Sequence, residues 1–123
     1  MAIELITIEP VPDVDPAAAL LLRLLADPTR GRIFLALMRG ETCNCELRDD
    51  LGLRENLVSH HLRQLRDAGF VLERRDESDA RWIYYRLDAD RLAAAWRALG
   101  AAFDPALIGT RTPSCGPAAR TCC

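Results

Sequence analysis

The chain has 123 residues, of which half are hydrophobic and 28% are charged, and its formal net charge is −2. This length suits one domain with one core and excludes two, and the balance of charge gives no sign of a nucleic-acid partner. The longest apolar stretch, AAALLLRLLA, is interrupted by Arg23 and is too short to span a membrane. The first residues lack the basic and apolar regions of a signal peptide. We therefore expect a cytoplasmic protein that has no membrane partner.

Five cysteines are present, two of them in the segment GETCNCELRDDLG. Thiols stay reduced in the cytoplasm, so an odd number of cysteines argues for metal or redox chemistry rather than for a disulfide framework.

Two helices are predicted after an extended arm, residues 1–14. Asp15-Pro16 and Asp27-Pro28 each offer an N-cap residue followed by proline at the first helical position. Gly40 is expected to close the second helix. The apolar stripes predicted for the two helices are Leu20, Leu21, Leu24 and Leu25 in the first, and Ile33, Phe34, Leu37 and Met38 in the second.

A helix-turn-helix is predicted next. A short helix over residues 45–51 ends at Gly52, and a longer helix carries Val58, Leu62 and Leu65 at helical spacing before Gly69. Residues 71–88 then alternate with period two around the turn-like DESDA, which predicts a β-hairpin. A last helix covers DADRLAAAWRALGAAF, and residues 105–123 form a flexible tail that contains cysteines. The expected fold is mainly α with a β-hairpin wing, a winged helix-turn-helix over residues 15–104.

The outward face of the longer helix is polar along its first two turns. Recognition helices present their N-terminal residues to the major groove, so this face is a candidate DNA surface. Arg63 suits guanine and Asn56 suits adenine, whereas His61 falls on the apolar side. The alternative is a merely solvated helix face. The predicted contacts on this helix are Asn56, Ser59, His60, Arg63 and Gln64. The predicted phosphate contacts of the hairpin are Arg74, Arg75 and Arg81. The acidic tip of the hairpin, Asp76, Glu77 and Asp79, makes these hairpin contacts doubtful.

Three stretches, LADPTRGRIFLALMRGETCNCEL, LGLRENLVSHHLRQLRDAGFV and RWIYYRL, resemble the ArsR/SmtB family of metal-sensing bacterial repressors. The resemblance covers roughly residues 17–103. It implies a homodimer that occupies double-stranded operator DNA until an inducer releases it, and it implies that the chain is not an enzyme. The dimer would pack through the first and last helices, with Leu21, Leu24, Leu92, Trp96, Leu99 and Phe103 as its contacts.

The same resemblance implies that Cys43 and Cys45 are inducer ligands of the thiolate type, for As(III) or Sb(III) and possibly Cd, Pb or Zn. Thiolates select such soft ions over magnesium or calcium. Residues two apart in a helix diverge, so both sulfurs reach one ion only where the backbone is not helical. A pyramidal As(III) site requires a third thiolate ligand. Cys115 is the favoured candidate, in the same subunit or across the dimer, and Cys122 and Cys123 are the alternatives.

Other hypotheses remain open. Cys43 and Cys45 could be small buried hydrophobes, and the tail cysteines could form a separate site or none. A repressor of the same architecture could sense oxidation of its thiols instead of a metal. A less favoured hypothesis is a dithiol metalloid carrier or reductase, suggested by the adjacent Cys122 and Cys123.

Overall fold

The computed structural model describes residues 10–117, so Cys122, Cys123 and most of the predicted arm lie outside the described residues. The helices are α1 (Pro16–Leu25), α2 (Pro28–Leu37), α3 (Asn44–Leu51), α4 (Glu55–Asp67) and α5 (Ala89–Ala102), and the strands are β1 (Thr42–Cys43), β2 (Val71–Arg75) and β3 (Ile83–Leu87). A winged helix-turn-helix, mainly α with a β wing, is therefore confirmed. Within the described range, no helix is both long and apolar enough to cross a bilayer.

The first two helices begin where the Asp-Pro pairs predict. The Asp15 carboxylate accepts a hydrogen bond from the backbone N–H of Ala18 at 3.1 Å, and that of Asp27 accepts one from Arg30 at 3.0 Å. Each bond satisfies a backbone donor that a helix start leaves without an intrahelical partner. Hydrogen bonding to the Arg30 N–H also lowers the pKa of Asp27 below its ordinary value.

One continuous core joins all five helices and the start of β2. Its largest fully buried side chains include Phe70, Leu21, Ile33, Leu37, Leu47 and Leu62. Met38, predicted as part of the apolar stripe of α2, is instead 57% exposed. Helix α2 ends at Leu37, before the Gly40 that was predicted to close it, and Met38 is its C-cap. Met38 keeps helical dihedral angles, so it lies about 100° around the axis from the buried Leu37, at the edge of the buried stripe.

The sheet has three strands in the order β1-β3-β2, all antiparallel. The hairpin β2–β3 was predicted, but β1 was not, because two residues are too few to show a period. In this register Tyr84 of β3 pairs with Cys43 on one side and with Arg74 on the other. Directly opposed residues of antiparallel strands point to the same face, so these three side chains share one face of the sheet.

The turn of the helix-turn-helix is made by Gly52, which is left-handed at φ 65° and ψ 34°. Glycine takes this conformation without the steric cost that a Cβ imposes. Helices α3 and α4 pack directly against each other, with Leu47 and Val58 both buried in the core. In the predicted tail the structure adds one short 3₁₀ turn, Pro105–Leu107, capped by Asp104.

Candidate functional site

The exposed face of α4 brings together four of the residues predicted to contact DNA. Asn56, His60 and Arg63 are exposed and Ser59 is half-buried. All four line one shallow open depression of about 610 Å³. By contrast, His61 is 5% exposed and faces the core, as its position on the helix predicts. Helix α4 is the second helix of the helix-turn-helix. Such helices read the major groove with hydrogen-bonding and basic side chains on their first two turns.

Glu55, the first residue of α4, lines the same depression. Its carboxylate is 66% exposed and lies 3.9 Å from the Arg48 guanidinium. Sequence reasoning missed this residue, although its position directly before Asn56 was a sufficient signal. A carboxylate here would repel phosphate, so the face is not uniformly suited to DNA.

Gln64 does not join that group of side chains. Its amide oxygen accepts a hydrogen bond from Nη1 of Arg30 at 2.5 Å, and Nε of the same arginine donates to the Leu24 carbonyl oxygen at 2.7 Å. Arg30 thus connects α1, α2 and α4. The predicted DNA contact of Gln64 stays a prediction, and its oxygen already has a partner within the protein.

The three hairpin arginines predicted to contact phosphate all have partners within the protein. Arg75 donates to the Ala80 carbonyl oxygen at 2.8 Å, and Arg81 donates to the Asp79 carboxylate at 2.8 Å. That bond from Arg81 lowers the pKa of Asp79 below its ordinary value. Arg74 lies over the Tyr84 ring, 4.5 Å from its centroid, and pairs with Glu41. These partners weaken the expectation of wing contacts to phosphate.

The two thiols of the Cys-x-Cys motif lie at the junction of β1 and α3. Cys43 is extended, at φ −112° and ψ 167°, and is the N-cap of α3 without a side-chain capping bond. The extended backbone that we expected near this pair is therefore present at Cys43, whereas Asn44 and Cys45 are already helical. The Cys43 side chain is buried, and that of Cys45 is exposed. A helix N-terminus favours negatively charged groups such as thiolates.

Within the part of the chain that the structure describes, no third ligand is assembled with this pair. Among residues 10–117, no group of three or more His, Cys, Asp and Glu side chains is placed so as to hold a metal ion. Cys115 is half-buried. Its role as third ligand, and those of Cys122 and Cys123 outside the described residues, stay predictions.

One hydrogen bond connects the Cys-x-Cys motif directly to the face of α4. Nδ2 of Asn44, the residue between the two cysteines, donates to Oγ of Ser59 at 2.7 Å. Sequence reasoning treated Asn44 only as a polar spacer. No periodic signal could have found the bond, because its partners lie 15 residues apart on different helices.

The residues predicted for the dimer divide into two groups. Leu21 and Leu24 are 2% and 7% exposed and already belong to the core of the single chain. Leu92 and Leu99 are half-buried. Trp96 of α5 and Phe103, the C-cap of that helix, remain 69% and 59% exposed, and on α1 the exposed leucines are Leu22, at 50%, and Leu25, at 38%. The predicted dimer contacts stay predictions, and the two in α1 are already buried within the single chain.

Helices α3 and α4 joined at Gly52, the polar face of α4 and the β2–β3 hairpin define a winged helix-turn-helix regulatory protein. Comparison with known proteins gives the family. Residues 27–72 match the profile described as bacterial regulatory protein, arsR family. The chain belongs to this family, since it is 36% identical over 85 residues to the arsenical resistance operon repressor of Escherichia coli, of which it covers 70%. Membership of a family of regulatory proteins agrees with the prediction that the chain is not an enzyme.

Two further similarities are informative. The chain is 47% identical over 66 residues to the arsenic resistance transcriptional regulator ArsR1 of Pseudomonas putida, and these residues are 53% of this chain and 49% of that protein. The chain thus spans about half the length of that relative. A solved structure described as a possible transcriptional regulator for arsenical resistance superposes with a TM-score of 0.57 at 39% identity, covering 67% of this chain and 81% of the other.

Proposed function

We propose that this protein is a dimeric, cytoplasmic transcriptional repressor that binds double-stranded operator DNA through α4. Coordination of As(III) or Sb(III) by the thiolates of Cys43 and Cys45 would release it. The observation that carries the proposal is the place of the thiol pair. It lies at the start of α3, the helix that packs directly against α4, and Cys43 also pairs with Tyr84 of the wing.

The position of Cys43 relates the thiols to both candidate DNA-binding elements. Its backbone belongs to β1, next to β3, and its side chain is buried. A packed interior transmits a displacement to its neighbours rather than absorbing it. Drawing the Cys43 sulfur toward the exposed Cys45 would therefore disturb the sheet edge and the start of α3 together. A change at these thiols would reach α4 through that helix.

The donor set fits a soft ion. Thiolate sulfurs favour arsenic, antimony, cadmium, lead and zinc over hard cations, and Cys43 and Cys45 supply two of them. A pyramidal site needs one more, for which we propose Cys115, with Cys122 or Cys123 as alternatives. Because no third ligand lies beside the pair among residues 10–117, Cys115 would have to approach it on binding, from the same subunit or from its partner. Among these ions we favour As(III) and Sb(III), in line with the arsenic-related names of the relatives.

The proposed dimer rests on the exposed apolar side chains of the first and last helices. Trp96 on α5, Phe103 at the C-cap of that helix, and Leu22 and Leu25 on α1 present large apolar groups to solvent. Helices α1 and α5 also pack against each other, and the half-buried Leu92 and Leu99 join the core from α5. A second copy could cover the exposed groups and place two α4 helices on successive half-sites.

The test is fluorescence anisotropy on the DNA upstream of the gene, titrated with arsenite. Wild type should bind and then lose at least tenfold in affinity, which needs a coupling of about 1.4 kcal/mol. Cys43→Ser and Cys45→Ser should bind equally well and stay bound, and Cys115→Ser should need more arsenite. Magnesium chloride is the control, because it supplies a hard cation that thiolates do not favour. Normal release of both Cys43→Ser and Cys45→Ser would refute the assigned site.

A second candidate, a redox-sensing repressor, is favoured by one observation. Cys45 is exposed, and accessible thiolates are the ones that peroxide oxidises. Release of metal-free protein from DNA by hydrogen peroxide, with arsenite inert, would select this candidate over the first.

A further inference from the structure

The hydrogen bond between Asn44 and Ser59 has a direction that matters for DNA binding. Nδ2 of Asn44 is the donor and Oγ of Ser59 is the acceptor, at 2.7 Å. A serine hydroxyl has one proton to donate and two lone pairs. When a lone pair is taken by Asn44, the proton of Ser59 stays available for a second partner.

The second partner suggested by the surroundings is a phosphate oxygen of DNA. Ser59 lines the depression that also contains Asn56, His60 and Arg63. Phosphate oxygens only accept hydrogen bonds, and bonds to a charged acceptor are stronger than those between neutral groups. With Asn44 as donor, the Ser59 hydroxyl would therefore be free to donate its proton to such an oxygen.

The same asparagine is the residue between the two thiols. Cys43 before it is extended and buried, whereas Cys45 after it is helical and exposed. Holding both sulfurs on one ion would constrain the chain between them, which comprises the backbone dihedral angles of Asn44 and its two neighbours and the side-chain angles of the two cysteines. The Asn44 side chain cannot keep its present position while those angles change.

A second feature of Asn44 favours its movement. Its Oδ1 atom is buried and has no hydrogen-bond partner within the described structure. A buried acceptor without a partner is costly, and moving the amide toward solvent would satisfy it. The amide thus donates a hydrogen bond to Ser59 through Nδ2, whereas its Oδ1 atom, which lacks a partner, favours movement of the side chain away from this position.

From these contacts we infer that Asn44 is a positioning residue, which holds the Ser59 hydroxyl for DNA while the thiols are empty and lets it go when they are ligated. This inference rests on the proposed function and names the connection between its two sites. It assigns to Asn44 no contact with the inducer and none with DNA.

The first test needs no inducer. We expect Asn44→Ala to weaken operator binding about fivefold, the worth of one net hydrogen bond. Ser59→Ala should weaken it by at least as much, and the double variant should be no weaker than Ser59→Ala alone, because Asn44 acts only through that hydroxyl. Losses that multiply in the double variant would overturn the inference.

The second test adds arsenite. The ratio of operator dissociation constants with and without arsenite should be about fivefold smaller for Asn44→Ala than for wild type. Arsenite binding to the thiols, measured by ultraviolet absorption, should be the same in both proteins. Asn44→Asp is the second variant, since it keeps the side-chain size and suits a helix N-terminus. Without a donor for Ser59 it should also lose coupling.

Thr42→Val is the matched control. It removes the 2.7 Å hydrogen bond from Thr42 to Glu46 at the same helix start without touching Ser59, and it should keep the wild-type ratio. If Thr42→Val loses as much coupling as Asn44→Ala, the effect is general loosening of α3 and the inference is wrong. Full coupling in Asn44→Ala also overturns it and leaves the proposed function standing. Failure of wild type to respond to arsenite removes the proposed function and the inference together.

Discussion

Arg74 of β2 holds the Glu41 carboxylate with two groups at once, Nε to Oε2 at 3.0 Å and Nη2 to Oε1 at 2.6 Å. Glu41 directly precedes β1, so this pair connects the wing to the segment that carries the thiols. The bond from Arg74 lowers the pKa of Glu41 below its ordinary value of 4.5 and raises that of the arginine.

This pair should make folding stability depend on pH in the acid range. A carboxyl whose pKa is lowered by folding adds stability that is complete above the unfolded value, here 4.5, and is lost as the pH falls through the lowered value. Urea unfolding should therefore show wild type more stable than Glu41→Gln at pH 6, with the difference shrinking as the pH falls below 4.5. Glu77→Gln at the wing tip is the control. A difference that grows on acidification would contradict the assignment.

Arg63 should matter more for operator recognition than Arg81. Arg63 is exposed on the face of α4, whereas Arg81 is bonded to Asp79 at the wing. If Arg63 reads a guanine, Arg63→Ala should cost about 1–3 kcal/mol of specific binding, and Arg81→Ala, the matched control, should change little. Competition anisotropy against unrelated DNA measures this difference. Equal losses for the two variants would mean that α4 does not read bases through Arg63.

Glu55→Gln should strengthen DNA binding. Its carboxylate lines the depression on α4, and two like charges 4 Å apart in water repel by about 1 kcal/mol, so the gain should be about fivefold or less. The gain should shrink as salt rises. Asp49→Asn removes the same charge from another partner of Arg48, outside that depression, and should gain less. An equal gain would show that only net charge matters.

Trp96→Ala should weaken the proposed dimer by about 30-fold or more, because truncating a large aromatic at the centre of an interface typically costs 2 kcal/mol or more. Sedimentation velocity over a concentration series measures the change. Leu35→Ala on α2 is a suitable control, since Leu35 and Trp96 are equally exposed at 69%. A dimer that responds to Leu35→Ala and not to Trp96→Ala would place the interface on α2.

Local signals were sufficient for most of the fold. The caps at Asp15 and Asp27 and the left-handed Gly52 are decided by a few neighbouring residues, so a single sequence displays them. Strand β1 was not predicted, because it forms through pairing with Tyr84 and Tyr85, about 40 residues away, and has no sequence pattern of its own. The face of α4 was predicted for the same reason as the caps: helical geometry alone places Asn56, His60 and Arg63 together.

Partners across the fold were not predictable in this way. Arg74 was expected to reach phosphate, yet the fold places Glu41 beside it, 33 residues away along the chain. Gln64 is similarly held by Arg30, and Asn44 by Ser59. A charged or amide side chain pairs with whatever the tertiary structure brings within reach, and sequence periodicity carries no information about that.

Arsenic K-edge absorption spectroscopy of the arsenite-loaded protein tests the central claim most directly. We expect a nearest shell made of sulfur, at a coordination number of three in wild type. The shell should be lost, with arsenite no longer retained on gel filtration, when Cys43 and Cys45 are both replaced by serine. An unchanged sulfur shell in that double variant would show that the metalloid binds elsewhere and would contradict the claim.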